Sequence, residues 1–283
     1  MKIRRSITVY VIDFITYHMK QGQDIVIMNR IKLVVTDLDS TLLRRNSTIS
    51  SYTVDILHRL QQGGVVVAFA TARDYRFVSN YLSPLYDVSP DIVISNNGAL
   101  ARDKNDVIYR RVIPEDTVNR MLTGFELKRC VSTESTYFYY DRNSKNHWSR
   151  GKKDTVITDF KEGIKGDALY IDGIITRQLE EICKEFPMVR IVKYSDVDTV
   201  TVVHKEATKL NALIAVEQKL NIQNDEVVAF GDDYSDIEWL SYHENSVAVA
   251  NAIAEVKDAA NYLCHDCDED GVAKWLEERI LRY

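Results

Sequence analysis

The stretch IKLVVTDLDST, residues 31–41, decides the fold. Residues 31–36 form a short, mostly apolar run rich in β-branched side chains, which is typical of a strand buried in a parallel sheet. Asp37 and Asp39 follow where that strand ends, and ligands of open α/β sheets bind at this edge. Two carboxylates this close repel each other, so the pair needs a metal ion or a shared proton. Taken alone, Asp-x-Asp is a weak signal, because an Asp after a strand more often simply caps the next turn.

Helix and strand patterns alternate outward from this stretch. The first part of the chain predicts strands at 31–36, 65–70 and 91–95 and helices at 51–62 and 73–82. The last part predicts strands at 226–230 and 246–249 and helices at 208–220, 233–241, 253–259 and 270–280. This rhythm predicts an α/β fold with a doubly wound, Rossmann-like core.

The middle of the chain has a different pattern. It predicts strands at 107–112, 136–140, 167–174, 188–194 and 198–203, with helices at 114–123 and 176–186. We therefore expect an N-terminal extension at 1–28, a core domain formed by 29–98 and 205–283, and an inserted α+β domain at 99–204. Residues 7–17 are too short an apolar run to span a bilayer, and Asp13 interrupts them.

Composition narrows the class of protein. Hydrophobic residues make up 45% of the 283 residues and charged residues 28%, as in ordinary globular proteins. The net charge of −6 and the lack of a basic block argue against a nucleic-acid partner. Four cysteines without a dense framework are typical of reduced thiols in a cytoplasmic protein. We expect no membrane partner and either a monomer or a homodimer.

Three further segments fall at strand ends or helix starts. Thr71-Ala72-Arg73 places a hydroxyl before a helix, where phosphate binds well, although Thr71 could simply cap that helix. Lys209 begins a core helix, a position that the helix dipole disfavours for a cation. Residues 231–236, Gly-Asp-Asp-Tyr-Ser-Asp, bring more carboxylates to the same sheet edge, and oxygen ligands of this kind suit Mg²⁺. Together the four segments supply the groups that phosphoryl transfer requires.

With these motifs in this order, the chain resembles the haloacid dehalogenase-like superfamily and, within it, the Cof-type phosphatases. Residues 37–41 correspond to the family's D-x-D-G-T motif, 71–73 to its second motif, Lys209 to its third and 231–236 to G-D-x-x-N-D. Asn96-Asn97-Gly98-Ala99 and two C-terminal segments, 249–252 and 268–273, also match. Between Asp39 and Thr71 there is room for a turn and a helix only, so the insertion lies where Cof-type proteins carry their cap.

The resemblance implies a role for each site residue. Asp37 would be the nucleophile that forms an aspartyl-phosphate, Asp39 the general acid and base, and Lys209 a catalytic cation. The residues implied in phosphate binding are Leu38, Thr71, Ala72, Lys209 and Ser235. Those implied in binding Mg²⁺ are Asp37, Asp39 (through its carbonyl) and Asp232, with Asp236 and Asp233 orienting Lys209 or a metal-bound water. The implied substrate is a small phosphorylated metabolite such as a sugar phosphate.

Three residues depart from the family pattern. Ser40 and Ala72 stand where the family has glycine, and Ser235 stands where it has asparagine. The alternatives that remain open are a phosphotransferase or mutase using the same nucleophile, a weakly active protein that binds a phosphorylated ligand, and a sucrose- or trehalose-type sugar-phosphate phosphatase.

Overall fold

The computed structural model describes residues 30–124, 130–140, 154–174, 179–195 and 199–281. These residues form one sheet of eight strands and a second of six. The expected N-terminal extension, residues 1–28, lies outside the described residues.

The first sheet contains the strands that flank residues 37–41. With strands numbered in chain order through both sheets, its members are β1 (Leu33–Thr36), β2 (Val66–Ala70), β3 (Ile92–Ser95), β4 (Leu100–Asp103), β5 (Val107–Arg110), β12 (Val227–Gly231), β13 (Asn245–Ala248) and β14 (Tyr262–Leu263). The strand order is β14-β13-β12-β1-β2-β3-β4-β5. Strands β14 to β3 are parallel, and β4 and β5 continue the sheet in antiparallel pairing.

Seven helices connect or flank the strands in the described part of the chain, besides shorter turns. They are α1 (Ser51–Gln62), α2 (Glu115–Gly124), α3 (Leu179–Glu185), α4 (Lys209–Leu220), α5 (Ile237–Tyr242), α6 (Ala254–Ala259) and α7 (Gly271–Leu276). Consecutive helical segments at Tyr75–Phe77, Val78–Leu82 and Ser83–Tyr86 follow β2. None of the described helices combines the length and the apolar character that crossing a membrane requires.

Strand β1 lies in the middle of the first sheet because all four of its residues are apolar or β-branched and can be buried on both faces. Leu33, Val34 and Val35 are fully buried, which stabilises the fold by about 1.5–3 kcal/mol per side chain. The register aligns Thr36 with Phe230 of β12 and with Phe69 of β2. The segments after these three strands therefore meet at one edge of the sheet.

The second sheet forms a separate layer with its own hydrophobic core. Its strands are β6 (Cys130–Thr133), β7 (Tyr137–Tyr139), β8 (Thr155–Ile157), β9 (Ala168–Ile174), β10 (Val189–Lys193) and β11 (Thr199–His204), in the order β10-β11-β9-β6-β7-β8. Helices α2 and α3 cover the sheet through Val118, Met121 and Ile182, which pack in one buried cluster with Ile171 and Val202.

The α/β core with an inserted α+β layer is confirmed, and all ten predicted strands are present. The sequence patterns did not predict four short strands, which are β4, β6, β8 and β14. The expected boundary after residue 98 does not coincide with the boundary between the sheets, because β4 and β5 pair within the first sheet. A turn with positive φ at Asn96, Asn97 and Gly98 reverses the chain after β3 and keeps it in that sheet.

Candidate active site

Asp37 lies at the carboxyl end of β1, close to the centre of the first sheet. Its backbone N–H donates to the carbonyl of Phe230 at 3.0 Å, which continues the pairing of β1 with β12 by one residue. The side chain is largely buried, with the residue 7% exposed. A carboxylate at this position faces little water and needs charged partners.

Lys209 provides one such partner. Its Nζ donates to Oδ1 of Asp37 at 2.6 Å and to Oδ1 of Asp236 at 2.7 Å. Burial, the largest effect, lowers the pKa of Lys209, but the two carboxylates outweigh it and raise that pKa above its ordinary value. The two contacts also explain why a cation occupies the first turn of α4 against the helix dipole.

The start of α4 is fixed by two neighbouring contacts. Thr208 caps the helix, since its Oγ1 accepts the backbone N–H of Asn211 at 2.9 Å. Gly98 approaches the same turn so closely that a Cβ there would lie 2.1 Å from the carbonyl oxygen of Thr208. The glycine therefore lets the β3–β4 turn support the helix end that carries Lys209.

Asp236 connects the loop after β12 to Lys209. While its Oδ1 accepts from Lys209, its Oδ2 accepts the backbone N–H groups of Asp232 and Asp233 at 2.9 and 3.2 Å. A Cβ at Gly231 would lie 2.5 Å from the Cβ of Asp236. Only glycine at position 231 leaves room for this carboxylate beneath the loop.

Asp37, Asp232 and Asp236 bring carboxylate oxygens within 4.8 Å of one another. Asp232 also accepts from Thr41 Oγ1 at 2.7 Å. Burial, followed by the charges of Asp37 and Asp236, raises the pKa of Asp232 to about 9. Burial likewise raises the pKa of Asp37 to about 7, despite the opposing effect of Lys209. This group of oxygen donors holds more negative charge than Lys209 neutralises, so it fits a hard divalent cation.

Asp39 points to a different partner. Arg73 binds both oxygens of its carboxylate, with Nε 2.7 Å from Oδ2 and Nη2 2.5 Å from Oδ1. The Arg73 side chain is only 2% exposed and its guanidinium lies 4.0 Å from the centre of the Phe77 ring. The Asp39 carboxylate is therefore held in place by a buried, bidentate cation.

A cavity of about 190 Å³ opens over these groups. It is lined by Asp37, Asp39, Ser40, Arg45, Ala72, Tyr194, Ser195, Lys209, Asp232, Asp233, Ser235 and Asn251. Most of the residues expected at the site thus surround one space, with Tyr194 and Ser195 contributed by the segment after β10. Leu38 and Thr71 are fully buried and do not line the cavity.

The three departures from the family pattern have distinct surroundings. Ser40 adopts a left-handed conformation with φ 58°, which a glycine adopts without strain. Ala72 lines the cavity, where its small side chain leaves space. Ser235 also lines it, with its Oγ 3.5 Å from Oδ1 of Asp236.

Sequence reasoning missed several residues of the site. Thr41 and Arg73 belong to the quoted motifs, and Asn251 to the C-terminal signature, but none was given a role. Arg45 and Tyr194 carry no local signal, because only the tertiary structure brings them to the cavity. The one sequence signal that could have pointed to Arg73 is an arginine two residues after the strand-end hydroxyl of Thr71.

Known proteins match most of the length of the chain. A family model described as haloacid dehalogenase-like hydrolase matches residues 34–276. The Bacillus subtilis protein YxeH is 28% identical over 275 residues, covering 88% of this chain and 98% of YxeH. The 5-amino-6-(5-phospho-D-ribitylamino)uracil phosphatase YitU of the same organism is 26% identical over 269 residues, covering 87% and 96%. Among solved structures, the HAD subclass IIB sugar phosphatase BT4131 is 26% identical with a TM-score of 0.74, covering 87% and 98%.

Proposed function

Since the chain belongs to the haloacid dehalogenase-like hydrolases, we propose that it is a Mg²⁺-dependent phosphatase that hydrolyses small phosphorylated metabolites, sugar phosphates in particular, through an aspartyl-phosphate at Asp37. The observation that carries the proposal is the buried contact of Lys209 with Asp37 and Asp236 beneath the cavity. A nucleophile needs a neighbouring cation because phosphoryl transfer brings further negative charge to it.

In the first step an oxygen of Asp37 attacks phosphorus, and the bond to the leaving oxygen breaks. Asp39 gives its proton to that oxygen and, in the second step, takes a proton from the water that hydrolyses the aspartyl-phosphate. Because Arg73 binds both oxygens of Asp39, the proton on Asp39 must occupy a lone pair that does not face the guanidinium.

The groups that bind the phosphoryl oxygens surround Asp37. Thr71 is fully buried outside the cavity lining and its Oγ1 accepts the backbone N–H of Arg73 at 3.0 Å, so its O–H would reach a phosphoryl oxygen only after a shift of the turn at residues 71–73. Ser235 offers a second hydroxyl, and the backbone N–H groups of Leu38 and Ala72 offer further donors. Lys209 balances the charge that the transferring group brings to Asp37.

Asp37, Asp232 and the backbone carbonyl of Asp39 would hold Mg²⁺. When bound, the ion supplies the positive charge that the carboxylate group lacks and polarises the phosphoryl group. Asp236 orients Lys209, and Asp233 stands beside it as a supporting carboxylate. A cytoplasmic location, with the cysteines as reduced thiols, is part of the same proposal.

The proposal is tested by a panel of phosphorylated metabolites assayed for inorganic phosphate, with Mg²⁺ and with EDTA. We expect release of inorganic phosphate that EDTA removes and added Mg²⁺ restores. Transfer of the phosphoryl group to another hydroxyl without phosphate release would instead indicate a phosphotransferase or mutase. Turnover that persists in EDTA would contradict the metal requirement.

A further inference from the structure

Asn251 is a partly buried residue in the wall of the cavity, and it joins two loops that are far apart in the chain. Its Nδ2 donates to the backbone carbonyl of Ser40 at 2.7 Å, and its Oδ1 accepts the backbone N–H of Cys267 at 2.9 Å. Both ends of the side-chain amide are therefore bonded to backbone groups. The mechanism proposed above does not use this side chain.

The backbone around Asn251 is bonded to the chain around Asp232. Two residues after Asn251, the N–H of Ile253 donates to the carbonyl of Asp232 at 3.1 Å. Two residues before it, the N–H of Val249 donates to the carbonyl of the glycine that precedes Asp232, at 3.3 Å. These two bonds fix Asn251 relative to Asp232. Through its side chain, Asn251 in turn fixes Ser40 relative to Asp232.

The turn that Asn251 contacts has a backbone conformation that its sequence disfavours. Ser40 has φ 58° and ψ 13°, a left-handed conformation that is less favourable for serine than for glycine. Relaxation of this φ toward negative values would rotate the peptide group that carries the carbonyl of Asp39. The contact of Asn251 with the Ser40 carbonyl and the 2.7 Å bond from Thr41 Oγ1 to Asp232 hold the chain directly after Asp39 against that change.

The carbonyl of Asp39 and the carboxylate of Asp232 are two of the three groups proposed to hold Mg²⁺. They follow different strands, β1 and β12, so the distance between them depends on how the two loops are held. Mg²⁺ demands a nearly ideal octahedral arrangement of its ligands and tolerates displaced ligands poorly. A side chain that fixes one loop relative to the other therefore sets how well the site binds the ion.

We propose that Asn251 is a positioning residue of the metal site, which holds the Asp39 carbonyl at the separation from Asp232 that Mg²⁺ requires. It acts through the Ser40 carbonyl and touches neither the ion nor the substrate. Because serine replaces the family glycine at position 40, the turn depends on this contact more than a glycine turn would. The inference rests on the proposed phosphatase function, which supplies the metal ligands.

The test measures Mg²⁺ binding without substrate, by isothermal titration calorimetry and by the rise in Tm that Mg²⁺ causes over EDTA. We expect Asn251→Ala to weaken Mg²⁺ binding by about tenfold, the size of effect (about 1.4 kcal/mol) that the loss of one hydrogen bond produces. The ligands themselves are intact in this variant, so raising the Mg²⁺ concentration should restore most of its kcat.

Asn224→Ala is a matched control. The side chain of Asn224 also bonds to two backbone groups, since its Nδ2 donates to the carbonyl of Tyr242 at 2.8 Å and its Oδ1 accepts the N–H of Glu244 at 3.1 Å. Asn224 precedes β12, at the sheet edge opposite the site. Its replacement should therefore change the Mg²⁺ affinity by less than about twofold, because distant sites act independently.

A second substitution distinguishes positioning from a general loss of stability. In the Asn251→Ala background, Ser40→Gly removes the steric penalty of the left-handed turn. It should therefore restore at least about threefold of the lost Mg²⁺ affinity, since the turn no longer needs the contact to keep its conformation. Ser40→Gly in the Asn224→Ala background should give no comparable gain.

The outcomes separate this inference from the proposed function. A folded Asn251→Ala protein with wild-type Mg²⁺ affinity overturns the inference, and so does an equal loss in Asn224→Ala. A higher KM for substrate with unchanged Mg²⁺ affinity also overturns it, because Asn251 would then contact the substrate. In each of these cases phosphate release in Mg²⁺ leaves the phosphatase standing, whereas a wild-type protein that binds no Mg²⁺ contradicts both.

A variant that does not fold is replaced by a milder one. Asn251→Ser keeps a polar side chain that is too short to span both backbone groups, so it should also weaken Mg²⁺ binding, and Ser40→Gly should again restore part of the affinity. Wild-type Mg²⁺ affinity in Asn251→Ser would overturn the inference in the same way.

Discussion

Arg73 binds both carboxylate oxygens of Asp39, at 2.7 and 2.5 Å, from a side chain that is almost fully buried. In the proposed mechanism Asp39 moves the proton in both steps, so the orientation in which Arg73 holds its carboxylate matters. A planar guanidinium fixes a carboxylate in one orientation, which an ammonium cannot do. This pair gives the first prediction.

Arg73→Lys should lower kcat by about tenfold and change KM by less than about threefold, because one contact to Asp39 remains but the orientation is lost. Arg73→Gln should lower kcat further. The measurement is steady-state kinetics on the best substrate of the panel, with thermal unfolding as the check on folding. A folded Arg73→Gln variant with wild-type kcat would show that Arg73 does not position Asp39.

Lys209→Met should be costly for both stability and activity. Removing the ammonium leaves Asp37 and Asp236 buried without their shared cation, which costs about 3–5 kcal/mol of unfolding free energy, and kcat should fall by at least about 100-fold. Lys219→Met is a matched control on the same helix, since Lys219 pairs with Asp103 near the surface and should contribute about 1 kcal/mol or less. Equal losses from the two variants in denaturant unfolding would contradict the assigned role of Lys209.

Stability of the metal-free protein should depend on pH through Asp232 and Asp37. Their pKa values in the folded protein, about 9 and about 7, lie above the unfolded value of about 3.9. The folded protein therefore binds more protons, and this stabilising contribution is complete below about pH 4 and is lost as pH rises through 7 and 9.

Bound Mg²⁺ should offset that loss, because the ion competes with protons for the same oxygens. We expect the increase in Tm caused by Mg²⁺ over EDTA to grow from pH 5 to pH 9. In Asp232→Asn, both the Mg²⁺ effect and the Asp232 contribution to the pH dependence should be reduced. An Mg²⁺ effect that is independent of pH, or unchanged in Asp232→Asn, would contradict the assigned ligands.

Ser40→Gly should stabilise the fold by about 0.5–1 kcal/mol, because Ser40 has a left-handed backbone with φ 58° that glycine adopts without a steric penalty. Ser50→Gly provides a control of opposite sign. Ser50 has φ −80° and caps α1 by accepting from Thr53, so its replacement should destabilise by a few tenths of a kcal/mol. Denaturant unfolding measures the free energy of unfolding of both variants. A Ser40→Gly variant less stable than wild type would show that the backbone at Ser40 is not strained.

The sequence was sufficient to predict the centre of the first sheet and the groups that converge there. A run such as Leu33–Thr36 can only be buried, and the regular crossover connections of a parallel sheet bring Asp37, Lys209 and Asp232 to one edge. The same reasoning could not predict which strands form the edge of the first sheet. Alternation at residues 107–112 indicates a strand, but not the sheet in which the strand pairs.

The sequence also could not predict the contacts of long side chains. The partnership of Arg73 with Asp39 and that of Arg45 with Asp266 depend on rotamers and on loops far apart in the chain. The strain at Ser40 was visible only as a departure from a family glycine, and its φ supplies the physical reason for that glycine.

The most direct test of the central claim is rapid-quench labelling with a radiolabelled phosphomonoester, comparing wild type with Asp37→Asn. The account predicts that the wild-type enzyme is transiently labelled on the peptide containing Asp37, with a bond that hydroxylamine cleaves. The Asp37→Asn variant, shown to be folded by its thermal unfolding transition, should show neither label nor phosphate release above background. A folded Asp37→Asn protein that releases phosphate at near the wild-type rate would contradict the account.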